Sequence, residues 1–191
     1  MDAAPNSAAL LALILAADFA ITLLHSYQEW TGVGAPLWRN FGAIVGLDIP
    51  DQLGFPVFTV GLSLTLLTIG FVGFTGLLGP GLTAFALGAL IGARLSDTLI
   101  SHVLLHGVGY RPNPGLSSTP LYVLEAIFIF VVFKARLEIA PGFAKSGLVL
   151  GIVMFLSVLP LLLLLRWIMP AWRRPRWHRW QPLPSWASTN T

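Results

Sequence analysis

The chain has 191 residues, 55% of them hydrophobic and 10% charged, with a formal net charge of +3. An ordinary soluble domain carries about 25% charged residues, so this composition excludes a soluble globular enzyme and points to a small integral membrane protein. Cysteine is absent, which excludes disulfides, thiolate metal sites, iron–sulfur clusters and cysteine nucleophiles. Any chemistry must come from His, carboxylate, hydroxyl or backbone groups.

A helix needs about 20 apolar residues to cross a bilayer and must satisfy its own backbone hydrogen bonds there. Apolar runs and their breakers predict an all-α polytopic bundle of about five transmembrane helices, with residues 1–168 as one transmembrane domain. The first span covers about 8–27. Its start, Met1-Asp2-Ala3-Ala4, lacks the basic region of a secretory signal, and its apolar run continues into Asp18 and His25, so it is read as a span. Between the first two spans, the amphipathic stretch Leu37–Leu47 carries Trp38 and Arg39 and reads as an interfacial segment, placed to lie over the end of the bundle.

The second span, about 56–74, ends at the tight reversal TGLLGPG. The third, about 82–106, stops at GVGYRPNPG, where glycines and prolines forbid continuation. The fourth, about 119–133, is introduced by Ser117-Ser118-Thr119 as a cap and Pro120 in the first turn. The fifth, about 146–169, carries Pro160, which predicts a kink. Glycines in spans two and three suit close helix association, within the chain, in a homo-oligomer or in a larger membrane complex.

The tail, 170–191, interleaves Trp172, Arg173, Arg174, Arg176, Trp177, Arg179 and Trp180. Trp and Arg are the usual residues of a membrane interface, so it reads as an anchor in the bilayer and not as a nucleic-acid site. Seven basic residues (Arg39, Arg111, Arg166, Arg173, Arg174, Arg176, Arg179) fall on one side of a five-span bundle, and Lys134, Arg136 and Lys145 on the other. By the positive-inside rule the C-terminus is cytoplasmic and the N-terminus external, which suits the bacterial inner membrane.

Ionisable residues inside spans are costly and carry a functional hypothesis by default. Spans one and three run in the same direction, so His25 and Glu29 reach the same membrane face as His102 and His106. Span four begins on that face, and Glu125 lies about six residues beyond its cap, roughly 8–9 Å deep at 1.5 Å per residue. At about 100° per residue, Asp18, His25 and Glu29 share one stripe of span one, and His102 and His106 share one stripe of span three. Asp97 falls about 140° round from His102 on the same count, beside Arg94, where the two read as a buried ion pair that fixes packing.

Two His at i, i+4, a His and a Glu at i, i+4 and a Glu on a third helix make a nitrogen/oxygen ligand set for a divalent metal, Fe, Zn or Mn. The expected ligands are His25, Glu29, His102, His106 and Glu125. Glu125, His102 and Asp18 are the candidates for catalytic proton handling, Asp18 also as a carboxylate orienting the ligands. The expected activity is that of a metal-dependent membrane enzyme acting on a lipophilic or small substrate, an oxidoreductase if the metal is iron and a hydrolase if it is zinc. The alternatives are a non-catalytic subunit of a membrane complex, or a metal-free acid/base isomerase or proton relay using the same residues.

The order of these motifs resembles the HXXEE-motif family of small bacterial membrane proteins. The matching positions are His25 and Glu29 of HSYQE, His102 and His106 of SHVLLHGVGYRPNPGLSST, and Tyr110, Pro114, Gly115 and Thr119 at the loop-to-helix junction. Gln28 stands where the family motif has its first glutamate. The resemblance implies a polytopic bacterial membrane protein, makes metal binding a natural suspicion, and supplies no reaction.

Overall fold

The computed structural model describes residues 7–31, 38, 39, 42, 45–107 and 113–173. Among them every regular element is helical, as an apolar chain in a bilayer requires. The elements are α1 (Ser7–Thr31), α2 (Asp51–Thr75), α3 (Gly79–Gly107), α4 (Leu116–Val132), α5 (Lys134–Ile139) and α6 (Pro141–Ile168). α1, α2, α3 and α6 are each long and apolar enough to cross a membrane, and α4 is a shorter apolar helix. The chain is an integral membrane protein. Most of the basic and aromatic tail, from Arg174 onward, lies outside the described residues, as do Tyr110 and Arg111.

The helices run beyond the apolar runs at several ends: α1 continues to Thr31, α2 starts at Asp51 and α4 at Leu116. α3 starts at Gly79 and α6 at Pro141, ahead of their apolar runs, because Pro80 and Pro141 sit in the first helical turn. There a missing N–H costs nothing. The kink expected from Pro160 falls at Ser157, where α6 is interrupted: Pro160 has no N–H to offer the Leu156 carbonyl.

α3 is the central helix, with 67% of its most apolar stretch buried against 11% for α6. Its contact with α6 is made by glycines on both sides. A Cβ at Gly88 or Gly92 would overlap the carbonyl oxygens of Ala144 or Leu148, and one at Gly147 or Gly151 would overlap those of Phe85 or Ala89. Two G-x-x-x-G stripes therefore face each other, and the backbones approach as closely as small residues allow. The other side of α3 joins Leu66 and Phe74 of α2 and Ile129 of α4, with Phe133, through Leu87, Leu90 and Ala93. At the far end of α2, the Arg136 guanidinium caps the carbonyls of Gly73 and Phe74.

The interhelical segment after α1 is tucked into the bundle at its described positions. Trp38, Val45, Leu47 and Ile49 are buried against Leu162 of α6. The Asp48 N–H donates to the Trp172 carbonyl, and Leu47 pairs with Arg173 in an isolated bridge. Arg39 forms an exposed ion pair with Asp51. This segment and the C-terminal end of α6 therefore close the same end of the bundle, the end at which α1 and α3 finish.

Candidate metal centre

Two stretches of the apolar helices depart from α geometry and are wound as π-helix, Phe55–Gly61 in α2 and Asp97–Leu104 in α3. π turns are rare and cluster at functional sites. The second carries the centre. With i→i+5 hydrogen bonds each turn holds more residues, so positions five apart move toward one face. Asp97 and His102 are five apart, and their Oδ1 and Nε2 atoms lie 3.7 Å from each other. The 140° separation drawn from α geometry does not apply here.

His25, Glu29, Asp97 and His102 bring one ligand atom each to within 4.8 Å of one another. His25 Nε2 lies 3.3 Å from Glu29 Oε1, 3.0 Å from Asp97 Oδ2 and 3.3 Å from His102 Nε2. His102 Nε2 lies 3.7 Å from Glu29 Oε1. Metal–ligand bonds of 2.0–2.2 Å in a regular tetrahedron give edges of roughly 3.3–3.6 Å; the spacings from the imidazoles, 3.0–3.7 Å, lie around that range, and the widest in the group is no more than 4.8 Å. Both imidazoles are buried, and the two carboxylates are 13% exposed.

The far nitrogen of each ring fixes which way the ring works. Asn113 donates its Nδ2 to the carbonyls of Ser101 and His102, which turns its Oδ1 to His102 Nδ1 at 2.8 Å. His102 Nδ1 must therefore carry the proton. Ser118 donates its hydroxyl to the Gly115 carbonyl and so accepts from His25 Nδ1 at 2.8 Å. The two Nε2 atoms, 3.3 Å apart, face each other and the two carboxylates, and at most one of them can carry a proton. Metal-binding imidazoles are held in this way by partners on the opposite nitrogen.

The loop before α4 forms the roof. Gly115 has φ +88°, a region that L side chains rarely adopt. A Cβ there would stand 2.7 Å from His102 Cε1 and 3.0 Å from His25 Cε1. Gln28, at the position where the resemblance departs, accepts from Ser117 at 3.1 Å and ties α1 to this roof. Ser118, expected as a helix cap, makes no cap bond: its hydroxyl serves Gly115 and His25.

The other acidic residues belong to a second buried centre built on Arg94. Its Nη2 donates to Asp18 Oδ1 at 2.8 Å and to Thr22, its Nε lies 2.9 Å from Glu125 Oε2, and its guanidinium stacks 4.0 Å over the Tyr122 ring. Gly70 leaves room for the Asp18 carboxylate, which would overlap a Cβ. Arg94 thus pairs with Asp18 and Glu125 and not with Asp97, as α-helical spacing suggested. Tyr122 joins the two centres, its ring 4.3 Å from that of His25.

Of the five ligands expected from sequence, His25, Glu29 and His102 come together. Glu125 is taken up by Arg94, and the residues of α4 that reach His25 are Ser118 and Tyr122. His106 follows the π segment, which rotates it off the His102 stripe, and it is half-buried outside the group. Asp18 meets Arg94 instead of orienting a ligand. Asp97, Asn113 and Ser118 were not singled out as site residues. The signal that would have found Asp97 is its five-residue spacing to His102.

No family model, no curated protein and no solved structure matches the chain. The reading of the centre therefore stands on its geometry.

A narrow cavity with about 60 Å³ of room for the centres of water-sized spheres, or about 820 Å³ when its open mouth and the gaps between lining atoms are counted, adjoins the centre. His25, Glu29, Asp97, Arg94 and Tyr122 line its polar end. Phe58, Leu62 and Leu66 of α2 and Met154, Phe155 and Leu162 of α6 form apolar walls, with Trp38 at the closed end of the bundle.

Proposed function

We propose that the chain is a metal-dependent membrane enzyme, with a divalent ion held by His25, Glu29, Asp97 and His102 and a lipophilic substrate received in the adjoining cavity. The observation that carries this reading is the orientation of the two imidazoles. Two Nε2 atoms 3.3 Å apart cannot both carry protons, and both Nδ1 atoms already do. A cation between them uses both lone pairs. Two neutral imidazoles and two carboxylates carry a charge of −2, which a divalent ion balances in a site where uncompensated charge is costly. The nitrogen/oxygen donor set suits Zn, Fe or Mn.

A bound ion would supply Lewis-acid activation of a substrate or water, or redox chemistry if it is iron. The protein's own part is to hold the ligands rigid through Asn113 and Ser118 and to keep bulk water out under the Gly115 roof. The arrangement of the basic residues supports a site in the cytoplasmic half of a bacterial inner membrane, at the end where Leu47 meets Arg173. Elemental analysis of protein purified without chelator tests the reading, with an expected content of about one Zn, Fe or Mn per chain. Asp97→Asn is expected to lower metal affinity by at least about a hundredfold, while Glu125→Gln leaves the content unchanged. Metal-free wild-type protein that cannot be loaded would sink the proposal.

A further inference from the structure

The polar atoms of the cavity wall do not all find partners among the described residues. Ser26 and Ser63 bond each other at 2.7 Å, and the four residues of the metal centre face one another. Trp38 and Arg94, both buried and both lining the cavity, are different. Among the described residues, Trp38 Nε1 and Arg94 Nη1 have no hydrogen-bond partner, and Arg94 Nε meets Glu125 only as an ion pair outside hydrogen-bond geometry. Buried polar groups are almost always hydrogen-bonded, and an orphaned one costs its full desolvation. Indole and guanidinium nitrogens are donors only. The Trp38 Nε1 edge packs against Gly54, and Glu125, whose two oxygens are themselves unbonded, stands at Arg94 Nε, so Arg94 Nη1 is the donor that calls for an acceptor.

Charge narrows the acceptor. Asp18 already balances Arg94 at 2.8 Å, and Glu125 adds a second carboxylate at 2.9 Å. The metal centre, once it holds a divalent ion, is neutral. A phosphate or carboxylate brought into this cavity would add a buried negative charge with no cation left to meet it. The remaining walls are apolar and belong largely to α2 and α6, two helices of membrane-crossing length. A cavity of this kind receives an apolar body and orients it by a few polar contacts.

We propose that the cavity binds a neutral lipophile whose polar end is a carbonyl oxygen, such as an ester, ketone, aldehyde or quinone, with that oxygen accepting from Arg94 Nη1. The proposal rests on the reading of the neighbouring cluster as a metal site, since the same polar end of the cavity carries both. It makes Arg94 a substrate-positioning residue in addition to the partner of Asp18.

The test uses full-length protein in lipid nanodiscs, loaded with Co²⁺ and assayed for cobalt by elemental analysis. Radiolabelled methyl laurate, laurate and dodecane are partitioned between these and empty nanodiscs. Methyl laurate is expected to show one saturable site per chain, at least about tenfold tighter than laurate or dodecane, the factor one hydrogen bond to a charged donor supplies. Leu66→Trp, which fills the cavity from α2, is expected to abolish that site with cobalt content retained. Laurate binding as tightly as the ester would overturn the neutral ligand, and dodecane doing so would overturn the carbonyl. Full cobalt content with no saturable ester site sinks the ligand proposal alone. Failure to take up cobalt sinks the metal reading, and the ligand proposal falls with its premise.

Discussion

The two halves of α3 solve different problems with one continuous helix. Gly79–Ser96 is regular α-helix, and its Gly88 and Gly92 are locked against Gly147 and Gly151 of α6. Asp97–Leu104 is π-wound and presents Asp97 and His102 to α1. The first half gives up side chains for backbone contact and sets the position of the helix in the bundle. The second gives up regular hydrogen bonding to put two ligands on one face. Arg94 stands near the junction and holds α1 and α4 to the helix through Asp18 and Glu125.

That division can be broken at either half. Gly88→Leu drives a side chain into the Ala144 carbonyl and is expected to cost at least about 3 kcal/mol. Loss of folded protein in size-exclusion chromatography, and of the metal with it, is the outcome to look for. A bundle that tolerates the leucine would mean that the glycine seam does not position α3. Deletion of Leu99, an exposed residue within the π segment, returns the local winding toward α. Asp97 and His102 then stand four apart, which in α winding is again one face, so the bundle should persist by circular dichroism with its metal content retained. Loss of the metal after that deletion would show that the site needs the π winding itself and not only a shared face for the two ligands.

The smallest effect is expected at the roof. Asn113→Ala leaves all four ligands in place but frees the His102 ring to turn. Metal affinity should drop about 10–100-fold with helix content unchanged, the usual cost of losing a partner behind a ligating imidazole. Equal affinity in a metal-competition titration would show that the ring is held by its packing alone.

The contrast between the halves also explains what the sequence disclosed. Apolar length and breakers revealed the helices, because bilayer thickness and backbone satisfaction leave few alternatives. The parallel run of α1 and α3 was enough to bring His25, Glu29 and His102 to one depth. Asp97 was hidden because its placement depends on a π turn, and the 3.6-residue period assigns it to the opposite stripe. Asn113, Gln28, Ser117 and Ser118 were hidden for another reason: their contacts depend on a loop whose path turns on the positive φ of Gly115. Glu125 was misplaced because depth alone does not say which neighbour claims a carboxylate. Arg94 claims it.

The pairing of Asp18 with Arg94 also sets a schedule for biosynthesis. The two residues are 76 positions apart, and a ribosome adding about 5–20 residues per second delivers the arginine roughly 4–15 s after the aspartate. During that interval α1 carries Asp18, His25 and Glu29 without the helix that receives them. The helix is long and apolar enough to cross the membrane on its own, and these side chains meet their partners on α3 only when that helix has been made.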